Sequence, residues 1–414
     1  MPSPARRAAF RVVRRVNEED AFADQALHAE ARELEPRERA FARQLAFGTV
    51  QRRRTLDHVV GALSSRQKLD ADVRAALQLG LFQLLFLEGV AAHAAVGESV
   101  ELAKGSRGAG LVNAVLRRAV AEGAEVLAAI EDEGVRESYP HWLVEHWRGA
   151  YGAKTATRLM RRLNEPAETA LRANRLKTSP EALAAALNDE EPASPRARPA
   201  GRDAVVVDGP FDAYAHPLWA AGHFMPQSRS SQAVARLVDP RPGERVLDLC
   251  AAPGGKTTHL AALMRDKGEI VSVERNPDRA DQLEQTCERM GVTIARVVRA
   301  DAAAFDGERG FDRVLADPPC SGLGTLQARP DLRWRMTPQR IAGILDEQRA
   351  ILRSAAEAVR PGGVLIWSTC TLNPAENEEL VDGLEGFEVR DRTTLWPHET
   401  RSAGFQVTVL GSLR

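Results

Sequence analysis

From about Arg241 the sequence repeats one unit: a short apolar run, a turn rich in Gly, Pro or Asp, then a helical stretch. The runs are Arg245–Leu249, Ile270–Glu274, Ile294–Arg299, Arg313–Asp317 and Val364–Ser368, with weaker ones at Phe387–Arg390 and Phe405–Leu410. A short apolar run without strict alternation suits a strand covered on both faces, and intervening helices supply the crossovers that parallel strands need. The spacing therefore predicts an α/β fold: a doubly wound, Rossmann-like parallel sheet. Such sheets bind ligands and do their chemistry at the C-terminal edge of the strands. Two of these runs carry a cysteine to that edge, in Asp317-Pro318-Pro319-Cys320 and Ser368-Thr369-Cys370.

The rest of the chain reads differently. Residues 5 to about 128 read as helices only, with Ala8, Val12, Val13 and Val16 at helical spacing and similar patterns at Ala40–Val50, Leu56–Leu63, Val73–Leu87, Ala94–Leu102 and Leu111–Val120. Residues 129–230 are mixed. Trp142, Val144, Trp147 and Tyr151 lie on a helical stretch, Leu171-Arg172-Ala173-Asn174 reads as a strand start, and Pro192 to Gly201 reads as a surface loop. The expected organisation is an all-α bundle over 1–128, a small mixed α/β connecting region over 129–230, and the sheet domain over 231–414. A chain of 414 residues is long enough for all three.

The formal net charge of −1 announces no nucleic-acid binder, so any basic surface must be local. Arginine runs such as Arg11/Arg14/Arg15 and Arg52-Arg53-Arg54 read singly as solvated helix faces. Met1 to Arg7 lacks the apolar core of a signal peptide. The most apolar stretch, Leu79 to Leu87, is short and holds Gln83, as a buried helix does and a membrane span does not. The four cysteines, Cys250, Cys287, Cys320 and Cys370, form no Cys-x-x-Cys pair, so no metal site and no disulfide framework is expected. A cytoplasmic setting fits.

The first strand leads into Asp248-Leu249-Cys250-Ala251-Ala252-Pro253-Gly254-Gly255-Lys256-Thr257. A Gly-rich turn that opens a helix lets backbone N–H groups approach a ligand closely. An ATP-binding loop is the competing reading, because Gly255, Lys256 and Thr257 match its second half and Val314 to Asp317 resembles a strand with a metal-binding acid. Cys250 stands where that loop has its first glycine, and a cysteine does not easily supply the same backbone freedom. Asp248 leads into the turn, where a carboxylate suits a cationic ligand better than a polyphosphate. Glu274 closes the second strand, as an acid gripping ribose hydroxyls would, and Asp301 follows the third, placed to meet an adenine amino group. Acids after three successive strands describe a positively charged nucleoside, and S-adenosylmethionine fits that description better than ATP does.

Two thiols at the same edge suggest covalent chemistry. Methylating C5 of a cytosine requires a sulfur to add at C6, which makes C5 nucleophilic. It also needs an acid near N3 and a base to remove the C5 proton. Cys370 suits the nucleophile. Asn373, Pro374 and Glu376 after it read as a helix start, whose dipole would favour thiolate. Asp317 suits the group that meets the ring at N3. Cys320, in a rigid Pro-Pro-Cys turn, suits the base or release helper, and Lys256 would neutralise Asp317 or steer a carboxylate. Cys287 reads as a core residue on the helix Arg279–Met290, and Cys250 as part of the cofactor loop. Arg329, Asp331, Arg333 and Trp334 are expected on the RNA side, Trp334 as a stacking surface or a core residue.

At these residues the chain resembles the RNA cytosine-5 methyltransferases. Cys250–Thr257 is similar to their cofactor loop, Asp317-Pro318-Pro319-Cys320-Ser321-Gly322 to their Pro-Cys motif, and Ser368-Thr369-Cys370-Thr371 with Glu376-Asn377-Glu378 to their Thr-Cys motif. The resemblance implies that Cys370 attacks and Cys320 helps release. DNA cytosine methyltransferases attack with the Pro-Cys cysteine, so this assignment rests on the resemblance. It also implies cofactor contacts at Asp248, Cys250, Ala251, Ala252, Pro253, Gly254, Gly255, Lys256, Glu274, Asp301 and Asp317. Phe41–Val50, Gln78–Leu85 and Val112–Arg117 are similar to a NusB-like RNA-binding bundle. A NusB-like domain ahead of such a methyltransferase domain is the layout of the bacterial 16S rRNA cytosine-5 methyltransferases of the RsmB (Sun/Fmu) type. The resemblance thus implies a class I methyltransferase sheet, S-adenosylmethionine as cofactor, 16S rRNA as partner and a monomer without metal. Cytosine-5 methylation of another RNA such as tRNA is the nearest alternative, with a P-loop nucleotidase and a non-catalytic RNA-binding protein further off. Two segments depart from the family pattern: Gln227-Ser228-Arg229 lacks an acid after the Gln, and Ser402-Ala403-Gly404-Phe405 lacks an aspartate before the glycine.

Overall fold

The computed structural model describes residues 1–64, 66, 68–189 and 196–414. They form two compact units: Met1–Pro166 with Leu326–Thr337, and Ala167–Thr325 with Pro338–Arg414.

The first unit is helical. Seven helices run from Pro4–Glu18 to Ala109–Ala128, followed by Glu133–Arg136 and His141–Arg162. The opening helix shows why they form. Ser3 caps its N-terminus, Pro4 takes the first turn where no N–H is needed, and Ala5, Ala8, Ala9, Val12, Val13 and Val16 face the core. Ala71–Phe86 is apolar on almost every side and is surrounded by the other helices. Its two buried glutamines are answered: Gln83 accepts a hydrogen bond from Arg6 Nε at 2.6 Å and donates to Leu79 O at 3.0 Å, and Gln78 accepts from Asn17 Nδ2 at 2.8 Å and donates to Asp57 Oδ1 at 2.7 Å. His141–Arg162 bends at Gly152, whose φ of 76° only a glycine adopts readily.

Leu326–Thr337 belongs to this helical unit although its sequence lies beyond the Pro-Cys motif. This corrects the expectation that Asp331 and Arg333 face RNA, and of the two readings of Trp334 it supports the core residue. Arg333 is fully buried. Its Nη1 donates to Gln51 O (3.0 Å), Ser138 O (3.0 Å) and Asn164 Oδ1 (2.9 Å), and its Nη2 to Tyr139 Oη (3.0 Å). The guanidinium also stacks 4.0 Å from the Tyr139 ring centre, and burial lowers its pKa to about 10. Trp334 Nε1 donates to Val50 O at 2.7 Å and its ring packs on the helical core, while Asp331 is buried. Of the four, Arg329 is exposed.

The second unit holds two sheets. The smaller contains β1 (Thr169–Ala173), β2 (Arg196–Pro199), β3 (Ala204–Asp208) and β4 (Phe224–Pro226), in the antiparallel order β2-β3-β1-β4. Leu183, Ala184 and Leu187 of the helix Pro180–Asn188 pack on Leu171, Val205, Val207 and Phe224. Part of the stretch expected to be a loop, Arg196–Pro199, is thus an edge strand, which tolerates Pro199 at its end. Pro192 to Pro195 lie outside the described residues.

The larger sheet contains β5 (Arg245–Leu249), β6 (Glu269–Val273), β7 (Ala295–Val298), β8 (Phe311–Ala316), β9 (Val359–Thr369), β10 (Phe387–Leu395) and β11 (Phe405–Ser412). Its order is β10-β11-β9-β8-β5-β6-β7. The first five strands are parallel, and β10 and β11 are antiparallel additions, so the sheet is mixed rather than wholly parallel. The connection between β10 and β11 explains this: it holds one short helix, Pro397–Thr400, which cannot make a parallel crossover. Both faces are buried over the central strands, while the edge strand β10 is mostly exposed. Val246, Ile270, Leu315 and Ile366 point to the side covered by Arg229–Val238, Gly255–Leu263 and Pro277–Met290. Leu247, Val271, Val314 and Leu365 point to the side covered by Pro338–Ala358. The strand order reverses between β5 and β8, and a reversal of this kind opens a crevice at the C-terminal ends.

Candidate functional site

At that crevice the register aligns Leu249 with Val273 and with Ala316, so the turns after β5, β6 and β8 share one edge. The turn after β5 is tight. Cys250 has φ 64° and Gly254 has φ 96°, both left-handed. Cys250 therefore does adopt the backbone that had seemed reserved for a glycine, and that argument against a phosphate loop fails. At Gly254 a Cβ would lie 2.9 Å from Leu283 Cδ1, so the turn packs too closely for any side chain there. Arg279 Nη2 donates to Ala252 O at 2.9 Å and its Nη1 lies 3.6 Å from Glu274 Oε2, tying the turn to the acid at the end of β6. Asp301, after β7, is exposed and caps the short turn Ala302–Ala304.

Asp248 departs from expectation. It is buried inside β5, where Thr257 Oγ1 donates to its Oδ2 at 2.6 Å. Its Oδ1 has no partner among the described residues. Burial raises its pKa to about 7. It is closed off from the strand ends and holds the first turn of Gly255–Leu263 to the sheet. The sequence pattern missed this because an acid one residue before a strand end points into the sheet layer, not out of the edge.

Lys256 Nζ reaches Asp317 Oδ2 at 2.5 Å, with the Phe405 ring centre 5.6 Å from the ammonium. Burial pulls the Lys256 pKa down, but Asp317 and Asp248 more than offset this, and the net shift is upward. The lysine stays charged beside the acid, as the sequence suggested.

Cys320 Sγ and Cys370 Sγ lie 3.3 Å apart. The hydrogen bond to Cys370 and burial hold the Cys320 thiol well above its ordinary pKa, so Cys320 keeps its proton. Burial first, then Asp317, Asp248 and Glu274, raise the Cys250 thiol as well. Cys287 is pushed up to about 12 by burial and sits in the core under Pro277–Met290.

The helix start after Cys370 is only partly as expected. Asn373 does cap, accepting from Ala375 N, and Pro374 does open the turn. The helix, however, is a single turn, Pro374–Glu376, followed by the four residues Glu378–Val381. So short an element carries little dipole, and that source of thiolate stabilisation falls away. Glu376 also does not reach back to the Asn373 backbone. It turns inward and accepts from Ser321 N (2.8 Å) and Ser321 Oγ (2.5 Å). Local spacing gave no sign of a partner 55 residues away.

Arg172 and Asn174 also support the site. Arg172, buried on β1, donates to Gly255 O at 2.8 Å and Thr258 Oγ1 at 2.7 Å. Asn174 Nδ2 donates to Gly222 O and to Met290 O. His259, one residue beyond Thr258, bonds Asp203 at 3.0 Å, and Arg236 pairs with the same acid. Of the two departures from the family pattern, Arg229 is satisfied by Glu168 at 2.9 Å and Thr400 O at 2.7 Å. Gly404 lies in contact with Gly324, its N–H donating to Gly324 O at 2.7 Å.

Family models match along the chain. "NusB family" matches residues 3–121, "Methyltr_RsmF/B-like, ferredoxin-like domain" matches 139–214, and "16S rRNA methyltransferase RsmB/F" matches 235–410. A probable ribosomal RNA small subunit methyltransferase B from Synechocystis sp. is 39% identical, over 91% of this chain and 88% of that protein. A protein of the same name from Bacillus subtilis is 36% identical, over 84% and 80%. The crystal structure of NSun6 from Pyrococcus horikoshii with SFG is 25% identical, covers 67% of this chain and 99% of its own, and superposes with a TM-score of 0.59. The crystal structure of PH0851 shares the fold over 99% of both chains, with a TM-score of 0.79 at 24% identity. A helical NusB-like region, a small antiparallel sheet, a methyltransferase sheet and full-length relatives at this identity agree: the chain belongs to the RsmB/F family of 16S rRNA methyltransferases.

Proposed function

We propose that this chain methylates C5 of a cytosine in 16S rRNA, using S-adenosylmethionine and a covalent Cys370–C6 adduct. The observation that carries the reading is the pair of sulfurs 3.3 Å apart at the edge that also holds Lys256 and Asp317.

The residues present fit the cofactor. Gly254, at φ 96°, shapes the tight turn after β5, Glu274 follows β6 where a ribose would lie, and Asp301 follows β7 on the same edge. A structural relative was solved with SFG, an S-adenosylmethionine analogue. When bound, the cofactor supplies an electrophilic methyl group. Residues 250–256, Glu274, Asp301 and Asp317 would hold it and orient it.

On the protein side, the Cys370 sulfur attacks C6 and forms the S–C6 bond. Asp317 meets the ring at N3, and Lys256 fixes that carboxyl in place. Adding at C6 breaks the ring's aromaticity, so C5 gains the electron density to take the methyl group. In the release step Cys320 gives its proton to the departing Cys370 sulfur and, as thiolate, takes the C5 proton, so the C5–C6 double bond is restored, the S–C6 bond breaks and both thiols end protonated. The helical unit and the small sheet would hold the RNA mainly through phosphates and shape, with the target base turned out of its stack. The test is to incubate the chain with labelled S-adenosylmethionine and 16S rRNA and digest to nucleosides. Label in 5-methylcytidine supports the reading, and label in another nucleoside or none removes it.

A further inference from the structure

We propose that Glu376 is a positioning residue that sets the separation of the two thiols, acting through Ser321 and Thr371, the residues that follow Cys320 and Cys370. The catalytic importance of that separation rests on the reading above; the clamp itself is a property of the fold.

The carboxyl of Glu376 is fully buried, and four donors converge on it. Ser321 N–H reaches Oε2 at 2.8 Å and Ser321 Oγ reaches Oε1 at 2.5 Å. Asn373 Nδ2 reaches Oε1 at 2.8 Å and Gln348 Nε2 reaches Oε2 at 3.2 Å. Ser321 Oγ also lies 2.7 Å from Thr371 Oγ1. Since the one Ser321 hydroxyl proton goes to Glu376, the Thr371 hydroxyl donates to Ser321, and the relay runs Thr371 to Ser321 to Glu376. Each cysteine is thus one peptide bond from a link in a single buried chain. The same Gln348 amide donates to Pro319 O at 2.9 Å, so the residues on both sides of Cys320 are held. On the Cys370 side, Gly324 N–H donates to Cys370 O at 3.0 Å, and Asn377 Nδ2 donates to Thr371 O at 3.2 Å. A carboxylate offers acceptors to all four donors, whereas a glutamine would turn an N–H₂ toward groups that are themselves donors.

The test reads geometry independently of methyl transfer. Diamide oxidises two neighbouring thiols to a disulfide, taking two electrons and two protons and becoming the hydrazine. The Cys320–Cys370 cross-link is quantified by peptide mapping in the wild-type chain, E376Q, S321A and the near-isosteric T371V. Folding is checked by circular dichroism. The expected result is cross-linking slowed most in E376Q, less in S321A and least in T371V. In parallel, kcat of E376Q falls by about 100-fold, the order of loss for an approximately 1 Å misplacement. KM for RNA and for the methyl donor stays within about threefold, as for a residue outside the binding contacts. A folded E376Q that cross-links at the wild-type rate overturns the proposal. If E376Q does not fold, S321A and T371V decide, and wild-type cross-linking in both overturns it. A wild-type chain that makes no 5-methylcytidine would sink the functional reading and leave the cross-linking result standing.

Discussion

The sulfurs of Cys320 and Cys370 are 3.3 Å apart, although 50 residues separate them in sequence. Parallel pairing of β8 with β9, with Ala316 opposite Trp367, brings the two turns together. At this distance the two thiols share one proton environment. The proposed mechanism gives them unequal roles, and single replacements separate them. C370A is expected to lower methyl transfer by at least about 1,000-fold, the scale for losing a covalent nucleophile. C320S keeps the attacker and loses the release helper, so a protein–RNA adduct resistant to denaturing electrophoresis should accumulate. An adduct that forms in C370A and not in C320S would reverse the assignment.

Two buried groups should tilt stability against pH in opposite senses. Burial lowers the pKa of His259 to about 4 from its ordinary 6.5. Between those values the unfolded chain binds the extra proton, so this contribution is complete above pH 6.5 and is lost as pH falls toward 4. Burial raises the pKa of Asp248 to about 7 from 3.8. Here the folded chain binds the extra proton, so this contribution is complete below pH 3.8 and is lost as pH rises through 7. Each is worth on the order of 3–4 kcal/mol over its window, so the two largely cancel in the wild type. Urea unfolding from pH 5 to 7.5 should show H259Q losing ground to wild type as pH rises, and D248N gaining. Parallel profiles for all three proteins would contradict this.

What was legible in the sequence divides along physical lines. Strands buried on both faces show as apolar runs, so β5, β6, β8, β9 and β11 were visible from residues such as Val246, Val314 and Val407, while the more exposed β7 and β10 were visible from their place in the repeating pattern. The thiols and Asp317 were visible because they follow strand ends, and Lys256 because it opens the helix after the β5 turn, places where position along the chain fixes position in space. Partners joined only in three dimensions were hidden. Glu376 had the spacing of a helix-capping acid, and nothing near it revealed Ser321. Arg333 and Trp334 had the composition of an RNA-facing loop. They turned inward because Gln51, Ser138 and Val50 offer carbonyls that helix ends leave unpaired. The reversal of β11 was hidden as well, since an apolar run does not state its direction.

Arg329 and Arg333 should therefore behave differently. Arg333 is buried against Tyr139 and serves three backbone or side-chain acceptors through Nη1 alone. R333M leaves those acceptors unsatisfied and is expected to cost about 2–5 kcal/mol of folding stability. Arg329 is exposed, so R329A should leave the melting temperature within about a degree, since exposed sites away from special contacts change stability little. Its effect should appear in RNA affinity and in a shallower salt dependence of binding. A stable R333M, or an R329A with wild-type affinity and salt slope, would count against this division.

Arg172 offers a route from the small sheet to the turn after β5, the proposed cofactor turn. Its guanidinium forks onto Gly255 O and Thr258 Oγ1, both in the first turn of the helix that follows residues 250–254. Burial lowers its pKa to about 9, a shift that the nearby Asp203 carboxylate only partly offsets. A lysine keeps a charge but cannot make both bonds with the fixed spacing of a guanidinium. R172K should loosen the turn without touching either thiol. We expect its dissociation constant for S-adenosylmethionine to rise by about tenfold, equal to losing roughly 1.4 kcal/mol of binding, while the Cys320–Cys370 cross-linking rate stays at the wild-type value. Calorimetric titration of the folded variant measures the first and diamide oxidation the second. Unchanged affinity for the methyl donor in R172K would show that the small sheet does not set the geometry of the turn.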